Sequence, residues 1–254
     1  MKRRRLMKRV HHALATIGLV LACAAAPAQT EPLVVVADEW PPFSGAALPD
    51  KGLSLDVITA VLTEAGYSVD AAVVPWARIM GDAEIGQFDI IGSLFADADL
   101  ERYLHYSDPF YITEVQLVER AGGSYTYSGI ADLRAYAIAV GDGFLYQEEF
   151  DRAQDLNKIV VTTKLQAIQM VAAGRADFTL DSVDVIRHAI TQDDPSLAQR
   201  VRLVPGVMAR QGIHMAVRRD LDGSARIVAD FNAALARMQA DGRLAQLLSR
   251  HVQR

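Results

Sequence analysis

The residues able to do chemistry in this chain sit at the carboxyl ends of apolar runs, and their types suit recognition better than reaction. Leu33 to Ala37 is followed by Asp38-Glu39-Trp40-Pro41-Pro42-Phe43. Asp38 there can pair with an ammonium group, while Trp40 and Phe43 can cover apolar or cationic parts of a ligand. Phe43 reads equally well as a loop aromatic packed beneath its own strand. Trp76 follows Pro75 at a helix start with Arg78 close by, and Trp76 also opens an apolar stripe, so a core role competes with a binding one. Ser93, at the end of a second apolar run, is either a donor to a ligand carboxylate or a solvated hydroxyl. Asp181 ends a third run and is either an ammonium partner or an acid that helps Ser182 cap the next helix. Reaction motifs are missing: there is no G-x-S-x-G, no phosphate-cradling P-loop and no H-E-x-x-H. His105, His188, His214 and His251 lack metal-ligand spacing, so neither a metal nor a cofactor is expected and the chain reads as a binder, not an enzyme.

The elements that must position these residues follow from periodicity. Two prolines forbid helix and ladder at Pro41-Pro42, so Asp38 to Phe43 is a loop at a strand end. Leu55, Ile58, Val61, Leu62 and Ala65 predict an amphipathic helix closed by Gly66, and Tyr67 to Val74 the next strand. Strand, helix and strand at this spacing form a βαβ unit with parallel pairing. Trp76, Ile79, Met80 and Ala83 share one helical face that Gly86 ends. Phe88 to Ile91 then reads as a buried strand ended by Gly92-Ser93, with a short helix over the ADADLERYL segment. Glu114 to Glu119 is strand-like, and Ala121-Gly122-Gly123-Ser124 is a break. A second α/β series follows, with strands at Tyr136 to Val140, Asp177 to Leu180 and Val201 to Val204. Its helices begin near Tyr146, at the Thr163 cap and at Val183. Ile213 to Val217 is a returning strand, and two helices divided by Asp241-Gly242 finish the chain.

Composition narrows the setting. Residues 1–28 carry six basic and no acidic side chains, an apolar run from Ala13 to Ala26, and an Ala26-Pro27-Ala28 cleavage pattern, which together read as a secretory signal. What remains has 20 basic and 31 acidic residues, a net charge of −11. So acidic a chain with no basic block gains nothing from phosphate neutralisation, which argues against nucleic acid. The single cysteine, Cys23, lies inside the signal, so the secreted part has no disulfide. Val20-Leu21-Ala22-Cys23 also resembles a lipobox, which makes a Cys23-anchored lipoprotein the alternative to a free periplasmic protein.

The linked pattern Pro75-Trp76-x-Arg78, Gly86-x-x-Asp89-Ile90-Ile91, Glu101-Arg102 and Tyr106-Ser107-Asp108-Pro109-Phe110 resembles the bacterial solute-binding proteins of family three, the polar amino-acid type, from about Leu33 to the C-terminus. The resemblance implies an α/β, two-lobed periplasmic-binding-protein-like fold of type II, each lobe a mostly parallel sheet flanked by helices, with two hinge crossings. On that basis residues 29–118 and 207–254 form the first lobe and 119–206 the second. The implied function is a monomeric receptor that closes on a small polar solute, an amino acid or similar, and delivers it to an ABC permease. A periplasmic dehydratase-like enzyme on the same scaffold and a ligand-sensing module for a membrane partner are the alternatives. The family places an arginine about six residues before the aromatic of the Ser-Asp-Pro box, where it clamps a ligand α-carboxylate. Leu100 occupies that place here and Arg102 comes two residues late. Either a one-residue deletion within Phe95–Asp99 brings Arg102 to the cleft, or the clamp is absent and Arg102 is a solvated helix residue. Gly143-Phe144-Leu145-Tyr146 corresponds to the family's glycine and hydroxyl residue at a helix N-terminus, a place that favours anions. Phe144 and Leu145 replace the small hydroxyl residue, with Tyr146 as its stand-in, and Asp181 lies near the family's ammonium-binding acid.

Overall fold

Residues 31–82 and 87–251 are described in this computed structural model. Segment 1–28, read from sequence as a secretory signal, with Cys23, and the helix stop expected at Gly86 lie outside the described residues. In chain order the elements are β1 (Leu33–Ala37), α1 (Leu53–Glu64), β2 (Val69–Val73), α2 (Trp76–Asp82), β3 (Ile90–Leu94), β4 (Leu104–Tyr106), β5 (Tyr111–Arg120) and β6 (Ala137–Gly141). Then come α3 (Glu148–Arg152), β7 (Asn157–Val161), α4 (Lys164–Ala172), β8 (Phe178–Ser182), α5 (Val183–His188), β9 (Val201–Leu203), β10 (Ala209–Arg218), α6 (Ser224–Ala240) and α7 (Arg243–His251).

The helices follow their apolar spacing. α1 buries Leu55, Ile58, Val61 and Leu62 on one face. Gly66 ends it at φ 94°, where only a residue without Cβ sits unstrained, and Tyr67 N–H turns back to the Leu62 carbonyl. α4 starts at the expected cap, with Thr163 Oγ1 accepting from Gln166 N–H. The ADADLERYL segment departs from expectation, because it forms only a single 3₁₀ turn at Leu100–Arg102 before β4 begins. β3 also runs on through Gly92-Ser93 to Leu94, buried at every position. A Cβ on Gly92 would come within 2.9 Å of Ile58 Cδ1, so glycine there lets α1 lie against the strand.

The strands join in the order β2-β1-β3-β10-β5-β8-β6-β7, with β4 on β10 and β9 on β5. β1 pairs parallel with β2 and β3, and β6 parallel with β7 and β8. Two α/β sections therefore result, each with a parallel centre as βαβ connections require. β10 belongs to both: Ala209 to Ile213 pairs with β5, and His214 to Arg218 runs antiparallel to β3 and β4. β5, which a boundary at residue 118 assigns largely to the first lobe, pairs from Val115 to Arg120 with β8 and β9 of the second section.

Packing covers both faces of each section. α6 and α7 lie on α1, where fully buried Phe231 joins Leu235, Leu244 and Leu247. Burying a phenyl ring of this size contributes about 2–3 kcal/mol. Ile79, Phe88, Ile91 and Leu104 fill the other face of the first section, and Val118, Ile168, Val171 and Leu197 a face of the second. These layers fix where the strand ends point.

Candidate functional site

β1 delivers its chain into the loop that both prolines shape. Trp40 and Ser44 exchange backbone hydrogen bonds of 2.8 and 3.1 Å, which folds the loop back and holds the indole in place. Trp40 packs 4.7 Å from Phe43 and edge-on to Phe95 at 5.1 Å. Phe43 is fully buried against Tyr111, so it supports Trp40 from beneath and does not reach a ligand cavity.

Asp181 comes from the end of β8, in the other section. Its Oδ1 accepts from Trp40 Nε1 at 3.1 Å and from Ser182 N–H at 2.7 Å. Burial pushes its pKa up to about 6, with Asp38 pushing the same way, against the lowering effects of the Lys164 ammonium, Ser182 N–H and the indole. The capping reading of this region holds as well, since Ser182 Oγ accepts from Asp184 N–H. Capping is done by Ser182, which leaves Asp181 facing the cavity.

Lys164 supplies the other charge. It is the first residue of α4, where the helix dipole disfavours a cation. Compensation comes from Asp38 Oδ2 at 3.0 Å and the Glu39 carbonyl at 3.2 Å. Its ammonium also lies 3.8 Å from the centre of the Phe144 ring and 5.8 Å from that of Trp40, within cation–π range. A third link between the sections is Trp76 Nε1 donating to the Gly143 carbonyl at 3.0 Å. Gly143 has φ 66° in that turn.

These groups enclose a cavity of about 40 Å³. Of the residues nominated from sequence, Asp38, Trp40, Trp76, Ser93, Phe144, Tyr146 and Asp181 line it, together with Leu94, Phe95, Leu145 and Lys164. Ser93 sits at φ 65° and its hydroxyl donates to Ser54 Oγ at 3.0 Å, so its side chain is turned away from a guest. Tyr146 accepts from Gly141 N–H at 2.7 Å, and burial keeps its phenol neutral. Three nominated side chains are not brought to the cavity. Phe43 lies under the loop, Arg78 is exposed on α2, and Arg102 is exposed and paired with Asp99 at 3.1 Å. Gly143 takes part only through its carbonyl. Sequence reasoning passed over Lys164 and Phe95. A cation directly after a helix cap was the available signal for Lys164, because such a charge needs a compensating partner. Among the described residues, Asp50, Asp56 and His251 form a cluster with metal-ligand atom types away from this cavity, where His251 Nε2 already meets Asp56 Oδ2 at 2.8 Å.

Two α/β sections that share β10, with strand ends meeting around a small cavity, form a two-lobed protein with the type II periplasmic-binding-protein-like fold. The sequence profile of the bacterial extracellular solute-binding proteins, family 3, matches residues 33–254, and the chain belongs to that family. Solved structures share the fold at low identity. A histidine kinase sensor domain with similarity to periplasmic binding proteins is 20% identical with a TM-score of 0.76, over 88% of this chain and 97% of that one. An ancestral arginine-binding protein bound to arginine is 18% identical with a TM-score of 0.73, over 89% and 100%. The GluR0 ligand-binding core from Nostoc punctiforme in complex with L-glutamate is 17% identical with a TM-score of 0.71, over 87% and 99%. No curated protein matches the chain.

Proposed function

We propose that this is a periplasmic receptor that closes its two lobes on a small polar solute and delivers it to an ABC permease. The observation that carries this is the set of three links around one cavity: Trp40 to Asp181, Lys164 to Asp38, and Trp76 to the Gly143 carbonyl. Each joins a residue from the first sheet section to one from the second, which is the arrangement that closure on a guest requires. The hinge lies where the chain passes between sections, before β5 and within β10 near Ile213-His214. The secreted form begins after Ala28, with Cys23 removed.

A thermal-shift screen of the mature protein against amino acids, polyamines, organic acids and aromatic acids tests this. A guest that binds only the folded chain raises the melting point in proportion to RT ln(1 + [L]/Kd). Trp40→Ala is expected to abolish the shift in a protein that still melts cooperatively. A screen in which no solute moves the melting point overturns the receptor reading. The likeness to a histidine kinase sensor domain favours a second reading, in which the closed form signals to a membrane partner. Crosslinking of guest-loaded protein in membranes separates the two by the partner recovered, a permease or a sensor.

A further inference from the structure

We infer that the guest of this cleft is an organic amine without a carboxylate group, its ammonium held on the unshared oxygen of Asp181 and its carbon skeleton against the surrounding rings. This rests on the cavity being the binding site of a solute receptor, and goes further by naming the class of solute.

The charge inventory is the first ground. The described side chains that line the cavity include two carboxylates, Asp38 and Asp181, one ammonium, Lys164, and no guanidinium. The ionised set carries a net charge of −1, in a site where both carboxylates are more than nine-tenths buried. A monocation neutralises that set. A guest carboxylate adds a third anion to it at low dielectric.

The second ground is the state of each polar atom. Asp181 Oδ1 already accepts from the Trp40 indole and Ser182 N–H, while Oδ2 has no hydrogen-bond partner among the described residues. Side-chain donors are mostly spent. The indole of Trp76 is given to the Gly143 carbonyl, the Ser93 hydroxyl to Ser54, and Lys164 to Asp38 and the Glu39 carbonyl. What remains for an anion from these groups is the neutral hydroxyl of Tyr146 and the third N–H of Lys164, whose ammonium is already held between Asp38, the Glu39 carbonyl and the Phe144 ring. An acceptor is open, and the one cation of the lining is already paired.

The third ground is that the cleft already holds one ammonium in this way. Lys164 Nζ rests between a carboxylate, a backbone carbonyl and the face of Phe144 at 3.8 Å. Asp181 with Trp40 and Tyr146 beside it repeats the same combination of anion and ring.

Matched pairs that differ only by the α-carboxylate test this by calorimetry on the mature protein at neutral pH: phenethylamine against phenylalanine, histamine against histidine, cadaverine against lysine, and agmatine against arginine. At least one amine is expected to bind about tenfold or more tightly than its amino acid, since even one buried like-charge contact is worth that much. Asp181→Asn, close in shape, is expected to weaken that amine about 100-fold while the protein still melts cooperatively. Lys164→Met removes the resident ammonium and is expected to bind the amine at least as well. Amino acids that bind as tightly as their amines, or a loss of amine binding in Lys164→Met, would show that Lys164 anchors an anionic group and would overturn the inference with the receptor reading intact. Binding of some other solute class but of no amine would do the same. No binding by any solute would remove both.

Discussion

Asp181→Asn should make the free protein more stable at neutral pH, although it removes a binding group. Asp181 is 6% exposed, and burial moves its pKa from 3.8 to about 6. A carboxyl whose pKa is raised on folding binds protons more readily in the folded state, so its contribution to stability is lost as pH rises from the unfolded pKa through the folded one. A rise of that size corresponds to ~3 kcal/mol at neutral pH. The asparagine keeps an acceptor for Trp40 Nε1 and Ser182 N–H, whose help to the carboxylate is already counted in that rise, but its NH2 replaces the open Oδ2 and finds no acceptor there, which offsets about 1 kcal/mol. A net gain of ~2 kcal/mol in a chain of this size raises the melting point by about 4–8 °C. Calorimetric melts of both proteins between about pH 4 and pH 7.5 provide the check. The gap should be small at the acid end, widen as the pH rises through about 6 and approach its full size at neutral pH. A variant that melts lower than the parent at neutral pH, or a gap that does not change with pH, would refute the reasoning. The ionised aspartate would then be stabilised in the fold beyond what Lys164 and two N–H donors supply.

Two further outcomes follow from packing and closure. Phe231→Ala empties a fully buried site between α6 and α1 and is expected to lower the unfolding free energy by about 3–5 kcal/mol, read from urea melts. Trp76→Phe keeps the ring but removes the hydrogen bond to the Gly143 carbonyl, worth about 1 kcal/mol, so guest affinity should fall about fivefold with the melting point of the free protein within about 2 °C of the parent's. Calorimetry on both proteins reads it, and unchanged affinity would mean that the contact does not hold the closed form.

Much of the architecture was legible because apolar periodicity is set locally. Leu55 to Ala65 could only bury one face as a helix, Thr163 and Gly174 bracket α4, and Tyr136 to Val140 and Val201 to Val204 lie where strands form. Local rules failed where long-range pairing decided. Gly92-Ser93 looks like a strand end, yet β3 continues because β10 pairs with Leu94 and α1 needs a residue without Cβ. Leu104 to Tyr106 becomes a strand only because β10 offers it an edge. β7 opens on the polar Asn157 and Lys158, which leaves three apolar residues, too short a pattern to stand out until β6 supplies its parallel partner.

The sequence by itself determined the α/β alternation, the loop that carries Asp38 and Trp40, and the strand end that carries Asp181, since each depends on residues near in the chain. Only the tertiary structure decided that Lys164 would answer Asp38 across 126 positions, that Trp40 would answer Asp181 across 141, and that Phe43 and Arg102 would stay out of the cavity. Charge pairing and ring stacking depend on distance in space, and a linear pattern contains that distance only after the sheet has been assembled.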